Sequence, residues 1–150
     1  AFAMADGTVR VHSGLLDAMS DDQVAAVIGH ELGHVRLKHS YRQMREQLLT
    51  NSAFQAAASV GGTVGSLTSS QLGQIAYTAL NARFSQEDEL EADRYAVKAL
   101  HQNGQDPAAM RRAIQTLQAK AGGGGGGFLS SHPSNDDRLH TIDKAIARLH

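Results

Sequence analysis

Residues 20–34, SDDQVAAVIGHELGH, decide the fold that this sequence predicts. Ser20 followed three residues later by Gln23 forms a capping box, in which each side chain bonds the backbone of the other and a helix begins. Apolar residues then recur at helical spacing: Val24, Val27, Ile28, Leu32 and Val35. The pattern predicts a long helix from Ser20 to about His39 or beyond, with HELGH, residues 30–34, in its middle.

The HELGH motif combines residues that can bind a metal ion and use it. On a helix, His30 and His34 project from one face, so that two imidazoles reach one ion. Glu31 lies about 100 degrees further round, beside the ion, where a general base for water would stand. Gly33 costs about 1 kcal/mol relative to alanine inside a helix, which indicates a close neighbour. On this motif alone, a polar helix face with satisfied histidines remains an alternative.

A catalytic zinc site has three protein ligands and one position for water, so a third ligand is needed. A third histidine six residues after His34 would be typical of metzincins, but Ser40 occupies that position. His39 is one residue short, faces elsewhere on the predicted helix and is interpreted as structural. The chain has no cysteine, so any metal here must be bound by nitrogen and oxygen.

An acidic helix offers the third ligand. The segment FSQEDELEADRYA contains five acids: Glu87, Asp88, Glu89, Glu91 and Asp93. Glu89 and Asp93 share a helix face, so Glu89 can bind the metal while Asp93 accepts a hydrogen bond from the far nitrogen of a ligating histidine. Glu91 is predicted to point to the other side. Glu87 and Asp88 are predicted only to complement the helix macrodipole.

The segment SSHPSNDDRL places His132 before a proline in a loop and Arg138 shortly after it. A histidine in such a loop is more often a capping or surface residue than a catalytic one. Arg138 can pair with Asp136, with Asp137 or with the acidic helix. From the residues alone, neither side chain is assigned to the site.

Composition and length limit the function further. The 150 residues suit one domain, 1–150, and the near balance of 14 Lys and Arg against 15 Asp and Glu makes nucleic acid an unexpected partner.

The segment Gln47–Ala82 carries no charged side chain, but it is rich in Ala, Gly, Ser and Thr, so no membrane span is predicted. A pair of small-residue helices broken near Gly61-Gly62 is expected instead. The chain is interpreted as a catalytic piece that lacks an upstream targeting segment.

The remaining elements are predicted from local signals. Strands Ala1–Ala5 and Thr8–His12 flank Asp6-Gly7, a hairpin turn. Predicted helices cover Gly14–Met19, Gln71–Ala82, Gln86–Gln102, Asp106–Ala121 and, after a Ser134 cap, a last segment through Leu149. Six glycines, 122–127, predict a mobile loop. The fold class is therefore α+β, mainly helical, with one small sheet.

Four segments together carry a resemblance to a known family: AFAMADGTVRVHSGLLDAMSDDQVAAVIGHELGH, VGSLTSSQLGQ, FSQEDELEAD and HP-x-x-x-x-R. The chain resembles the zinc metallopeptidases of the HtpX and CAAX prenyl protease type, which are gluzincins, and within them the periplasmic LoiP and BepA branch. The resemblance implies one Zn²⁺ per chain, bound by His30, His34 and Glu89. The resemblance also implies that Glu31 is the general base and that Asp93 lies in contact with a metal ligand without binding the metal itself.

The resemblance implies further roles near the substrate. His132 would lie over the zinc, either stabilising the oxyanion or filling the fourth position in a latent state, and Arg138 would lie near substrate. The strand Ala1–Ala5, through Ala3 and Ala5, would pair with an extended peptide. The expected activity is endopeptidase cleavage of unfolded or misassembled envelope proteins in the periplasm, with outer membrane proteins as further partners. The alternative is a latent or non-catalytic, chaperone-like binding module in which His132 plugs the zinc.

Overall fold

Helices packed beside one small antiparallel sheet make up the fold, which confirms the predicted α+β class. The structure is a computed structural model that describes residues 1–58, 73–74, 78, 83–121, 128–133 and 136–149. Its elements are β1 (Phe2–Ala3), β2 (Val9–Arg10), α1 (Ser13–Ala18), α2 (Asp21–Arg36), α3 (His39–Ala58), α4 (Gln86–Gln102), α5 (Ala109–Ala121), α6 (Phe128–Ser131) and α7 (Asp136–Ala147).

The N-terminal hairpin forms with shorter strands than the sequence predicts. Strands β1 and β2 pair antiparallel over two residues each, whereas the predicted strands were Ala1–Ala5 and Thr8–His12. The backbone nitrogen of Met4 donates to the carbonyl of Thr8 at 2.8 Å and closes the loop early. Gly7 has φ +92°, a conformation that glycine adopts without strain.

Helix α2 begins with the predicted capping box but ends sooner than predicted. Both hydrogen bonds of the box between Ser20 and Gln23 are present. The helix ends at Arg36, because Lys38 takes a left-handed conformation with φ 60° and a new helix, α3, begins at His39. The HELGH motif therefore lies in the last turns of α2 and not in the middle of a longer helix.

The buried face of α2 also differs from the predicted aliphatic stripe. Its buried residues are Ala26, Val27, Gly29, His30, Glu31, Gly33 and His34. Leu32, one of the predicted apolar positions, is 43% exposed. The reason is that small residues and the polar motif of α2 face α4, and a large aliphatic side chain there would hold the two helices apart.

The later helices follow the prediction with small shifts. Helix α4 has the predicted bounds and ends before Gly104, whose φ is +69°. Helix α5 begins at Ala109 and not at Asp106, because the nitrogen of Ala109 bonds the carbonyl of Asp106 in a turn at 3.0 Å. The short helix α6 was not predicted, and α7 ends at Ala147, before Leu149.

Several predictions lie wholly or mostly outside the described residues. These are the break near Gly61-Gly62, the glycine loop 122–127 and the cap at Ser134. Of the predicted helix Gln71–Ala82, only 73–74 and 78 are described, and they are helical.

The apolar core lies between α2, α4, α5 and α7. It includes Val27, Val97, Leu100, Met110, Ile114 and Ile142. No helix within the described ranges has the length and apolar character needed to cross a membrane.

Two glycines lie where α2 approaches α4, and a side chain at one of them would come unusually close to the backbone of α4. A Cβ at Gly33 would lie 3.0 Å from the Cα and 3.1 Å from the carbonyl oxygen of Ala92 in α4. At Gly29 the nearest atom would be the Cα of Ala96, at 3.5 Å, an ordinary contact. Gly33 thus permits the close approach that brings the two helices, and their polar side chains, together.

We expect Gly33→Ala to destabilise the protein by about 1–2 kcal/mol, because overpacking against backbone outweighs the gain in helix propensity of about 1 kcal/mol. Gly29→Ala is the matched control and should be neutral or stabilising by up to about 1 kcal/mol. Urea unfolding of the two variants measures both free energies. Equal stabilisation by both alanines would contradict the close packing at Gly33.

Candidate metal centre

Four side chains from three parts of the fold converge on one buried point. His30 and His34 come from α2, Glu89 from α4, and His132 follows α6. Each is at most 1% exposed. One atom of each lies within 4.8 Å of the corresponding atom of every other. The structure thus brings together the three predicted ligands and the loop histidine that the sequence singled out.

The distances between these atoms are those of a small coordination shell. His30 Nε2 lies 3.0 Å from His34 Nε2 and 3.3 Å from His132 Nδ1. Glu89 lies 3.3 Å from each of the two HELGH histidines and 2.9 Å from His132 Nδ1. Ligands bonded tetrahedrally at about 2.0–2.1 Å from zinc lie about 3.3 Å apart. Three nitrogens and one carboxylate also form a donor set that zinc accepts, so the residues present fit this metal.

The electrostatics of the site favour a positive charge between the ligands. Burial lowers the pKa of His30, but the carboxylates of Glu89 and Asp93 outweigh it and raise the pKa to about 9. Burial lowers the pKa of His34 to about 3, so its imidazole is neutral. Burial raises the pKa of the Glu89 carboxyl group. The charge on His30 and hydrogen bonds from the histidines lower this pKa by more than burial raises it, so the carboxylate is ionised. Such surroundings stabilise a bound cation.

Asp93 and Arg138 form a buried ion pair behind the ligands. Asp93 Oδ1 lies 2.8 Å from His30 Nδ1, so the carboxylate accepts that hydrogen bond and directs Nε2 of His30 into the site. Arg138 donates to both oxygens of Asp93, at 2.7 and 2.6 Å, and its Nη1 lies 2.9 Å from Glu89. Asp93 therefore occupies the predicted position beside a ligand.

Of the partners that the sequence allowed for Arg138, the structure shows the acidic helix, α4, and its expected role near substrate stays a prediction. Its side chain is 0% exposed, and its guanidinium also donates to the carbonyl of Pro133 at 3.2 Å. Arg138 thus joins the loop that carries His132 to the ligand-bearing helix α4. Its position supports the ligands from behind, because its donors are directed at Asp93, Glu89 and this loop.

Glu31 is buried beside the four donors. It is 0% exposed, and neither carboxylate oxygen has a hydrogen-bond partner in the described part of the chain. Nε2 of His132 lies 3.3 Å from Glu31 Oε1. A buried carboxylate without a partner is costly, and such groups persist where chemistry requires them.

His132 closes the side of the site next to Glu31. Its ring stacks on Phe128, with centroids 4.2 Å apart and planes at 13°. Its Nδ1 is the fourth donor, and its Nε2 faces Glu31. The sequence left open whether this histidine fills the fourth position or stabilises an oxyanion. In the structure its Nδ1 lies among the candidate donor atoms, 3.3 Å from His30 Nε2 and 2.9 Å from Glu89 Oε1.

The outer edge of β1 already makes one hydrogen bond within the protein. Because Ala3 lies opposite Val9, next to the pair joined by the bond from Met4 N to the Thr8 carbonyl, its backbone groups point away from β2, whereas Ala5 lies in the turn that follows. The carbonyl of Ala3 accepts a hydrogen bond from Ser40 Oγ at 3.0 Å. Ala5 lines a cavity of about 330 Å³ that His34 and Tyr41 also line.

Two residues beside the site were misjudged from the sequence. His39 was expected to face elsewhere, but its Nδ1 lies 2.9 Å from His34 Nδ1. Glu91 was expected to point away, but its Oε2 lies 3.1 Å from His39 Nε2. The only sequence signal was a histidine five residues after His34. In a continuous helix the His39 side chain would point away from His34. Because the helix breaks at Lys38, the two side chains are in contact.

Comparison with known proteins gives consistent matches over nearly the whole chain. Peptidase family M48 matches residues 1–146. The chain is 45% identical to Metalloprotease LoiP of Escherichia coli (strain K12) over 142 residues, which are 95% of this chain and 56% of that protein. It is 39% identical to Metalloprotease YcaL of the same strain over 147 residues, covering 98% and 58%.

A more distant relative has a more specific name. The chain is 32% identical to the Beta-barrel assembly-enhancing protease of Escherichia coli (strain K12) over 149 residues, covering 93% of this chain and 30% of that protein. The chain thus spans a little over half of the length of LoiP and YcaL, and under a third of this third relative.

Proposed function

The chain belongs to peptidase family M48, and from this premise we propose that it is a zinc-dependent metalloendopeptidase domain. His30, His34 and Glu89 would hold one Zn²⁺, and Glu31 would serve as the general base. The observation that carries this function is the Glu31 carboxylate, buried and without a hydrogen-bond partner among the described residues, next to four metal donors. A purely structural metal site has no use for such a group.

The chemistry divides between the metal and the chain. When bound, zinc would act as a Lewis acid that polarises the carbonyl of the peptide bond and lowers the pKa of water to about 7. Glu31 accepts a proton from the attacking water and returns it to the leaving amine as the peptide bond breaks. Asp93 holds His30 in the tautomer that presents Nε2 to the metal. The buried surroundings strengthen each of these interactions, because they exclude bulk water.

His132 supports a second candidate function. Its Nδ1 is the fourth protein donor and its Nε2 stands beside Glu31, in the place that an attacking water needs. In this state the domain would be latent, or would bind unfolded chains as a chaperone-like module without cutting them. Catalysis would require the His132 side chain to leave, after which it could bond a developing oxyanion. Arg138, which holds the loop through Pro133, would then set how readily it moves.

The substrate is proposed to be an extended, unfolded polypeptide. It would pair along the outer edge of β1 at Ala3 and Ala5, once Ser40 releases the Ala3 carbonyl. The names of the relatives support substrates among misassembled envelope proteins, since one of them is a beta-barrel assembly-enhancing protease. We propose a periplasmic location, with association with outer membrane proteins in the full-length protein.

Metal removal tests the proposal directly. We expect the zinc-loaded chain to fragment casein, the chelator-stripped chain not to, and one equivalent of zinc per chain to restore cleavage. The measurement is fragment formation over time together with zinc content. Cleavage that is unchanged after zinc is removed would refute a metallopeptidase. If the loaded chain does not cut but His132→Ala does, the latent state is supported.

A further inference from the structure

The turn after α2 places a second histidine directly behind a metal ligand. Lys38, with φ 60°, interrupts the helix after α2, and α3 begins at the next residue, His39. His39 is 1% exposed, and its Nδ1 lies 2.9 Å from Nδ1 of His34. This contact uses the nitrogen of His34 that is directed away from the other metal donors.

The far side of His39 meets carboxylates of α4. Its Nε2 lies 3.1 Å from Glu91 Oε2 and 3.5 Å from Asp88 Oδ1. Asp88 is itself held by Arg42, whose Nη2 donates to it at 2.7 Å. Glu91 is therefore the closer acceptor for His39, and the contact links α3 to α4 across the back of the site.

With both imidazole rings neutral, the chemistry of this row of groups allows one assignment of protons. An ionised carboxylate only accepts, so His39 Nε2 carries a hydrogen and donates to Glu91. His39 Nδ1 of the neutral ring is then an acceptor, and His34 Nδ1 must be the donor. His34 is thereby left with a lone pair on Nε2, the atom that faces the other metal donors.

We propose that His39 is a positioning residue, which with Glu91 fixes the tautomer and orientation of the metal ligand His34. The inference rests on the proposed zinc site. It gives each HELGH histidine its own support from a carboxylate of α4: Asp93 bonds His30 directly, and Glu91 acts on His34 through His39. Phe84, stacked on His34 at 3.9 Å, restricts the remaining rotation of that ring.

Zinc affinity tests the proposal, measured by competition with a chromophoric chelator. His39→Leu keeps the bulk of the side chain and removes both nitrogens, so it should weaken zinc binding by about 10- to 100-fold. His39→Asn can still accept a hydrogen bond near the Nδ1 position and should recover part of that loss. His140→Leu is the matched control at an exposed histidine and should bind zinc as the wild type does.

Coupling between the two residues separates positioning from packing. Glu91→Ala should weaken zinc binding in the wild-type background. In the double variant with His39→Leu it should have no further effect, because Glu91 acts through His39. Circular dichroism and the Tm of each zinc-free variant report whether it folds. If His39→Leu does not fold, the zinc affinity of Glu91→Ala alone tests the proposal, since Glu91 is partly exposed and its removal leaves the core intact.

The outcomes separate the two claims. Unchanged zinc affinity in His39→Leu or Glu91→Ala, with a lower Tm only, would overturn the positioning role and make His39 a packing residue. In that case, zinc binding by wild type and His140→Leu would leave the proposed function intact. Failure of the wild type and His140→Leu to bind zinc would overturn both.

Discussion

Glu31→Gln is expected to lower the rate of casein cleavage by at least about 100-fold while zinc binding stays as in the wild type. The amide has nearly the same shape as the carboxylate but cannot accept the proton of the attacking water. Zinc affinity should persist because Glu31 is not among the four converging donors, His30, His34, Glu89 and His132. The rate of fragment formation and the zinc content of the same sample measure both parts.

Stability separates this role from a structural one. The Glu31 oxygens have no hydrogen-bond partner in the described part of the chain, so replacing this buried carboxyl group with an amide should leave the Tm unchanged or raise it. Glu46→Gln is the matched control on an exposed part of α3 and should change neither rate nor Tm. Equal cleavage by wild type and Glu31→Gln would exclude Glu31 as the base.

Arg138→Met is expected to cost about 3–5 kcal/mol of unfolding free energy, because it leaves buried carboxylates without their compensating charge. Arg138 is 0% exposed and contacts both oxygens of Asp93 as well as Glu89. The methionine fills much of the volume, so the loss reports charge more than packing. Denaturant unfolding of the zinc-free protein measures it.

The control for Arg138 is an exposed pair of the same kind. Arg111 Nη1 lies 2.6 Å from Asp143 Oδ2, but the two side chains are 37% and 51% exposed. Arg111→Met should therefore cost no more than about 1 kcal/mol, since water screens the charges. A similar loss in both variants would show that the buried pair is not the stronger support.

Local signals in the sequence were sufficient for most elements of the fold. The capping box at Ser20 begins α2, and α4 has the predicted bounds, Gln86–Gln102. These signals act over a few residues, so reading them needs no knowledge of the rest of the chain. The early end of α2 could not be read in this way, because Lys38 adopts a left-handed conformation that lysine does not signal.

The sequence by itself determined the parts of the candidate site that lie within one helix. His30 and His34 share a face because they are four residues apart, and Glu89 and Asp93 do so for the same reason. Close approach at Gly33 could also be expected, since glycine costs stability unless something needs the space.

Only the tertiary structure decided what meets across helices. His39 reaches His34 because of one turn, Glu91 reaches His39 because α4 packs against that turn, and Arg138 is buried against α4, one of the three partners that the sequence allowed. Such contacts join residues 52 and 45 positions apart, as in His39 with Glu91 and Asp93 with Arg138. Their partners depend on how whole helices dock, and side-chain spacing along one helix carries no information about that docking.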